Sequence, residues 1–377
     1  MNGSLLKARY RPDPAPSPTP VAETPQVPRR KIHLKSSRFA DAGFRYLTWG
    51  CALSVLAIVA LIVCELFLRS TLSLHAFGWQ FLVIQDWDPG KKNFGALPFI
   101  YGTVVSSLVA VLLAVPLSVG VATFTTELCP RRLRGVLSYM VELLAAIPSV
   151  IYGLWGIFVL VPFLRSHVQP LLADYIQPPL AKAAAFVWAG TCYLGVNRWP
   201  YLGATIKWTT DLFSQLFSGP QYGLGMLAAG IILAIMIIPI ITSITREVMK
   251  AVPTQQREGV LALGATRWEM IRVGVLRNAR TGILGAIILG LGRALGETMA
   301  VTMLIGNNQE IAKSLFASGS TLASQIANQF SEASEDLYLN ALMELGLVLF
   351  VITLLVNVVA QLMVWSITRG NAQRATA

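Results

Sequence analysis

The sequence predicts an all-α, polytopic membrane protein with six transmembrane helices and both termini in the cytoplasm. Three observations carry that prediction. Hydrophobic residues make up 54% of the 377 positions and charged residues only 13%, with a mean hydropathy of +0.60; a soluble domain does not have this composition. Six separate apolar segments lie at about 46–68, 99–125, 136–163, 223–245, 281–305 and 341–366. Each is long enough for the roughly 30 Å of hydrocarbon that about 20 helical residues cross. Finally, Lys and Arg number nine in the stretch to residue 45, three in 126–135, seven in 246–280 and two at the end, against three, four and one in the connections 69–98, 164–222 and 306–340. Basic loops stay on the cytoplasmic side, so both ends of the chain are assigned there.

The chain divides accordingly into a tail (1–45), a transmembrane domain (46–368) and a short cytoplasmic tail (369–377). The first tail is basic, carries prolines at 12, 14, 16, 18, 20, 25 and 28, and has no apolar face to bury. It is expected to be disordered, and it lacks the early apolar run of a signal peptide. Pro116, Pro148, Pro162 and Pro239 fall inside predicted spans and should kink them. Residues 180–196 are apolar but short, carry Lys182, and would invert the later charge bias if they crossed. They are read as part of an external insertion, 164–222.

The net charge of +11 follows the topology and makes no basic stripe interleaved with aromatics, so nucleic acid is not a predicted partner. Cys51 and Cys64 lie about 20 Å apart along one helix, beyond disulfide reach. Cys129 and Cys192 fall on opposite sides of the membrane, so all four cysteines are expected to be unpaired.

The polar loop 246–280 is the most organised. Residues 254–263 can form a short helix after Pro253, with Thr254 as its N-cap and Gly264 as a left-handed stop. Thr266 and Glu269 have capping-box spacing and would start a second helix leading directly into the fifth span. The competing reading is an amphipathic loop on the headgroups, with Arg267, Arg272 and Arg277 facing lipid phosphates.

Within this loop, "REGVLALGATRWEMIRVGVLRNAR" resembles the coupling loop of ABC-importer permeases, E-A-A-x3-G-x9-I-x-L-P. Glu258, Gly264 and Leu276 match. Gly259 and Val260 replace the alanines, Gly274 the isoleucine and Arg277 the proline. "GLGRALGETMAV" (290–301), "ELLAAIPSVIYGLWG" (142–156), "ALMELGLVLFVIT" (341–353) and "FGALPFIYGT" (94–103) together resemble the PstC-type permeases of bacterial phosphate importers, over roughly residues 45–368. The resemblance implies the type I ABC importer permease fold in the bacterial plasma membrane. It also implies a homologous second permease subunit, a cytoplasmic ATPase dimer using ATP and Mg, an external phosphate-binding protein, and inorganic phosphate as cargo. Glu258, Gly259, Gly264 and Thr266 would then couple to the ATPase. The chain itself contains no G-x4-G-K-[ST] loop, so it is not expected to hydrolyse ATP alone; as a transport subunit it is expected to be no enzyme and to bind no cofactor or metal.

An ionisable group at bilayer depth needs a partner or an aqueous path. Glu65, Glu127 and Glu344 fall near span ends; Glu127 is read as an interfacial cap or ion-pair partner. Glu142, inside the predicted third span, is read as a structural ion pair, with pathway lining as the alternative. Arg293 lies about 18 Å into the fifth span, near the midplane, and its planar guanidinium suits two phosphate oxygens. Glu297 at i+4 would pair with it on one helical face and release it to the anion, or hold it as a static clamp. Gly285, Gly292 and Gly296 would let another helix approach closely, the second permease above all. The remaining alternatives are a permease for another oxyanion, such as sulfate or molybdate, and a channel or signalling protein without ATP drive.

Overall fold

The computed structural model describes residues 38–193 and 200–375, with side chains over 43–191 and 204–365. Among the described residues the fold is helical, with no strand and two isolated bridges. Six helical segments are long and apolar enough to cross a membrane: Gly43–Arg69, Leu97–Leu128, Ser149–Thr191, Met226–Lys250, Arg267–Leu295 and Asp336–Trp365. The chain forms two compact units, residues 1–58 and 59–377. The described part of the smaller unit is the first stretch of α1 (Arg38–Arg69), whose apolar side chains are exposed. The helix thus starts seven residues before the predicted tail ends; residues 1–37 lie outside the described chain.

The larger unit is built around α8 (Met226–Lys250), two-thirds of whose apolar window is buried. Ahead of it in the chain come α2 (Thr71–Phe77), α3 (Leu97–Thr123), α4 (Arg131–Ala146), α5 (Ser149–Trp155), α6 (Gln177–Tyr193) and α7 (Pro200–Gln215). Behind it come α9 (Thr254–Ala262), α10 (Arg277–Leu295), α11 (Met299–Leu304), α12 (Leu322–Gln329) and α13 (Asp336–Ala375). α3 packs along one side of α8, where a Cβ on Gly230 would overlap Val109. The Ser118 hydroxyl donates to the Ile238 carbonyl at 3.3 Å, and Thr242 donates back to the Ser118 carbonyl at 3.4 Å. That exchange sits beside Pro239, whose ring leaves a helix carbonyl without its usual donor. α10 packs on the other side, its Gly282 against Val248 and its Gly290 against Ile241. The close-packing glycines of the fifth span are therefore Gly282 and Gly290.

Two predicted spans are drawn differently. Residues 136–163 do not make one helix: α4 ends at Ala146, Ile147 is extended at φ −69° and ψ 128°, and α5 begins after Pro148. A proline drives its preceding residue out of the helical region and offers no N–H, so the helix stops there. The third span starts instead at Ser149 and runs 43 residues. At 1.5 Å per residue this is roughly 65 Å, about twice the hydrocarbon thickness. It alternates α and wider π turns and takes up the first half of the predicted external insertion. α7 packs back on α6, held by the Gln177 amide, which donates to the Ser214 carbonyl and accepts from the Phe217 N–H at 2.9 Å. The fifth span is likewise broken: α10 ends at Leu295, and α11 resumes only at Met299. At the far end α13 runs on to Ala375, through most of the predicted C-terminal tail.

The end opposite the basic loops is closed by an aromatic cluster. Trp87 meets Phe94, Phe99 and Tyr338 edge-on, with ring centroids 5.0, 5.2 and 6.3 Å away. Both Trp87 Nε1 and the Tyr338 hydroxyl donate to Gln329 Oε1 at 2.7 Å. Cys51, Cys64 and Cys129 are free, as expected, and the Cys192 side chain lies outside the described residues.

Two glycines of α3 give a direct test of this packing. A Cβ on Gly102 would lie 2.1 Å from the Ser320 carbonyl oxygen, whereas one on Gly120 meets nothing within 4 Å. Gly102→Ala is expected to lower stability by about 1–3 kcal/mol. Gly120→Ala should be neutral or stabilising by up to about 1 kcal/mol; thermal unfolding in detergent compares the two.

Candidate functional site

Two helix breaks immediately precede a pair of helices that pack together in the larger unit. The first is Ile147–Pro148, between α4 and α5; the second is Gly296–Thr298, between α10 and α11. α5 and α11 pack directly, with Gly153 fitting against Ala300 and Met303. Tyr152 bridges the first break, its hydroxyl donating to the Leu144 carbonyl at 2.7 Å. Arg293 sits in the last turn of α10, just before the second break. A cation at a helix C-terminus is favoured by the unpaired carbonyls there. The Arg293 side chain is exposed and makes no hydrogen bond or ion pair among the described residues. Unwound backbone at membrane depth is tolerated where it lines a protein-enclosed path, so this is the strongest candidate site in the chain.

The expected Arg293–Glu297 pair on one helical face is not formed. Gly296 caps α10, and Glu297 lies in the break with its N–H directed at the Ala294 carbonyl, 3.4 Å away. The i, i+4 geometry requires continuous helix, and Gly is the weakest helix former after Pro. Glu297 is half-buried and, among the described residues, has no cationic partner.

Glu142 lies on α4, outside the third span, and accepts from Arg246 at 2.7 Å. Arg246, 8% exposed, also reaches Glu247 at 3.3 Å, and Glu247 pairs with Lys250 at 3.0 Å. This matches the structural ion-pair reading. Buried Arg246 was not singled out in the sequence, although an arginine at the end of an otherwise apolar span is the signal for it.

At the basic end the loop 246–280 folds as helix, turn, helix. α9 follows Pro253, which takes the N-cap position expected for Thr254. Gly264 adopts φ +84°, the left-handed stop, with its N–H donating to the Leu261 carbonyl at 3.0 Å. The Thr266–Glu269 capping box is complete: Thr266 N–H donates to Glu269 Oε2 at 2.8 Å, and Glu269 N–H to the Thr266 hydroxyl at 3.3 Å. From Arg267 the chain is helical through a π segment (Met270–Leu276) into α10 without interruption. Val260 packs against Met249, Ile271 and Val275, while Glu258, Gly259, Gly264 and Thr266 are all exposed. Arg257 locks α9 in place by donating to the Val252 and Met249 carbonyls, both at 2.8 Å, and to Glu127 Oε1 at 3.1 Å. That pair is mostly buried and bears out the ion-pair reading of Glu127.

The glycines expected to receive a helix meet almost nothing within this chain. A Cβ on Gly285 would find open space, and those on Gly292 and Gly296 would find only ordinary contacts at 3.8 and 4.0 Å. Gly285 and Gly292 instead line a groove of about 590 Å³ with Asn357, Gln361 and Trp365.

Residues 114–370 match the family of inner membrane components of binding-protein-dependent transport systems. The chain is a binding-protein-dependent transport permease. This permease is 46% identical to the phosphate transport system permease protein PstC of Mesorhizobium japonicum over 332 residues, covering 88% of this chain and 92% of that one. It is 40% identical to the protein of the same name from Pasteurella multocida, covering 92% and 99%, and 42% identical to that of Haemophilus influenzae, covering 85% and 92%. The permease is a multi-pass membrane protein and a transport component.

The anchoring of α9 can be measured. Glu127→Ala leaves the buried Arg257 charge without its carboxylate and is expected to lower stability by about 3 kcal/mol. Glu65→Ala, which removes an exposed pair with Arg69, should change it by less than about 1 kcal/mol. Thermal unfolding of the detergent-solubilised protein checks both.

Proposed function

We propose that this permease is the transmembrane subunit of an ATP-driven importer of inorganic phosphate in the bacterial plasma membrane, forming half of the translocation pathway. The observation that carries the reading is Arg293: an exposed guanidinium without a partner among the described residues, beside a break in a membrane helix, in a chain whose relatives are phosphate transport permeases. An ion left unpaired there has a use when its partner is the cargo. Arg offers two parallel N–H donors to two oxygens of a tetrahedral anion, and its charge is permanent. Glu297, without a cation of its own, fits a conformation in which Arg293 is already free for phosphate.

In this reading the basic end faces the cytosol, and α9 with the Gly264 turn docks a dimeric ATPase that supplies ATP and Mg chemistry. The chain has no nucleotide loop of its own and holds no cofactor. The exposed Leu263 and Trp268, beside Glu258 and Thr266, give that surface an apolar centre. A homologous second permease subunit covers the groove at Gly285 and Gly292 and completes the pathway. An external phosphate-binding protein delivers the anion to the opposite end. Alternating access would use the continuous helix that runs from Arg267, after the Gly264 turn, to the break at Gly296.

Phosphate uptake by the reconstituted complex carrying Arg293→Ala is expected to fall by at least about tenfold, the equivalent of one lost charge-assisted hydrogen bond. Arg293→Lys, which keeps the charge but not the fork, should also impair uptake. Wild-type uptake by Arg293→Ala would remove Arg293 from the pathway, and equal uptake of sulfate would reassign the cargo. Gly264→Val forces a β-branched residue to positive φ and is expected to abolish ATP-driven uptake or ATPase co-purification while leaving the membrane domain folded.

A further inference from the structure

Four segments converge on a polar cavity of about 340 Å³ at the basic end, lined by Thr126, Glu127, Arg134, Lys250 and Arg257. Thr126 and Glu127 come from the π turn that ends the second span, and Arg134 from the first turns of α4. Lys250 ends α8, and Arg257 belongs to α9. Three cations thus meet one carboxylate, and that carboxylate is already engaged by Arg257 at 3.1 Å. Lys250 shares the exposed Glu247. Arg134 has no carboxylate among the described residues; its Nη2 donates to the Thr126 carbonyl at 2.6 Å.

The lining is also under-satisfied. The Arg134 and Arg257 Nε–H groups and the Thr126 hydroxyl are shielded from solvent and have no partner among the described residues. Thr126 as a whole is only 6% exposed. A buried donor without an acceptor costs about 1–3 kcal/mol, and two of these donors carry charge. A group that brings several anionic acceptors into the cavity answers both the charge excess and the orphaned donors. The cavity is several times the ~30 Å³ share of one water, so a hydrated oxyanion fits.

We infer that this cavity binds a phosphate group, either free inorganic phosphate or the headgroup of an anionic lipid, and that its occupancy ties α9 to the ends of α3, α4 and α8. The inference rests on the proposed reading only for the statement that the cavity faces the cytosol and that α9 couples to an ATPase. Binding and its effect on α9 are independent of transport. An anion held by Arg134, Lys250 and Arg257 together would restrain the helix that has to move during ATP-driven import, so import would slow as phosphate accumulates on this side.

The test is thermal unfolding and amide exchange of the full chain with its co-purifying subunits in dodecylmaltoside, a detergent without phosphorus. One arm adds inorganic phosphate, and the other adds micellar phosphatidic acid with no free phosphate. Either addition is expected to raise the unfolding temperature and slow amide exchange over 254–262, and the responding arm names the source. Lys250→Gln should weaken that response about tenfold, as loss of a charged hydrogen bond predicts, and Arg293→Ala should leave it intact. Thr126→Val should fold at least as well as the parent without phosphate, because the hydroxyl it removes is unpaired, yet respond more weakly to the ligand. No response in either arm, or an undiminished response in both Lys250→Gln and Thr126→Val, overturns the site. A response abolished by Arg293→Ala alone would assign it to the pathway and overturn it equally.

Discussion

Inside a bilayer no water is available to a peptide group, so every N–H and C=O in the hydrocarbon has to find its partner within the protein. This requirement makes the chain helical and confines irregular backbone to places shielded by other segments. The breaks at Ile147–Pro148 and Gly296–Thr298 lie beside the packed α5 and α11, with Pro148 and Gly296 exposed on this chain by itself. Pro116 and Pro239 stay within their helices, and beside them the Ser118 and Thr242 hydroxyls tie α3 to α8.

Charge follows a parallel logic. Arg246 is buried and Arg257 mostly so, and each is matched by a carboxylate near the end of a helix. Such pairs add little net stability, because desolvation offsets most of their attraction, but breaking one is expensive. They therefore fix geometry: Arg257 sets the position of α9 against α8 and the end of α3. Arg293 is the contrasting case, a charge kept at a helix terminus with no acid paired to it among the described residues.

Much of this was legible in the sequence because the signals were local. The capping box at Thr266–Glu269, the left-handed Gly264 and the apolar segments each depend on a few neighbouring residues, and all appear in the structure. Features that depend on three-dimensional competition were misread. A run of apolar residues through Pro148 looked like one span because hydropathy does not register a missing N–H. Arg293 and Glu297 looked like a helical pair because spacing alone cannot show that Gly296 ends the helix between them. Gly285, Gly292 and Gly296 are expected to face a partner's helix, and spacing gave no sign of the separate face that α8 occupies. That face holds Gly282 and Gly290. The partner of Arg257, 130 residues away in the chain, left no pairwise signal at all.

The uninterrupted helix from Arg267 to Leu295 has a mechanical consequence. Helical rods bend little over such lengths, so a rotation applied at one end arrives at the other multiplied by the distance. Thr266 and Arg293 are separated by about 40 Å of helix at 1.5 Å per residue. A swing of about 5° at the Thr266 end would carry the guanidinium through roughly 3–4 Å, the length of a hydrogen bond. The same swing would carry Gly290 through about 3 Å, so the α8 face that it packs against has to move with it.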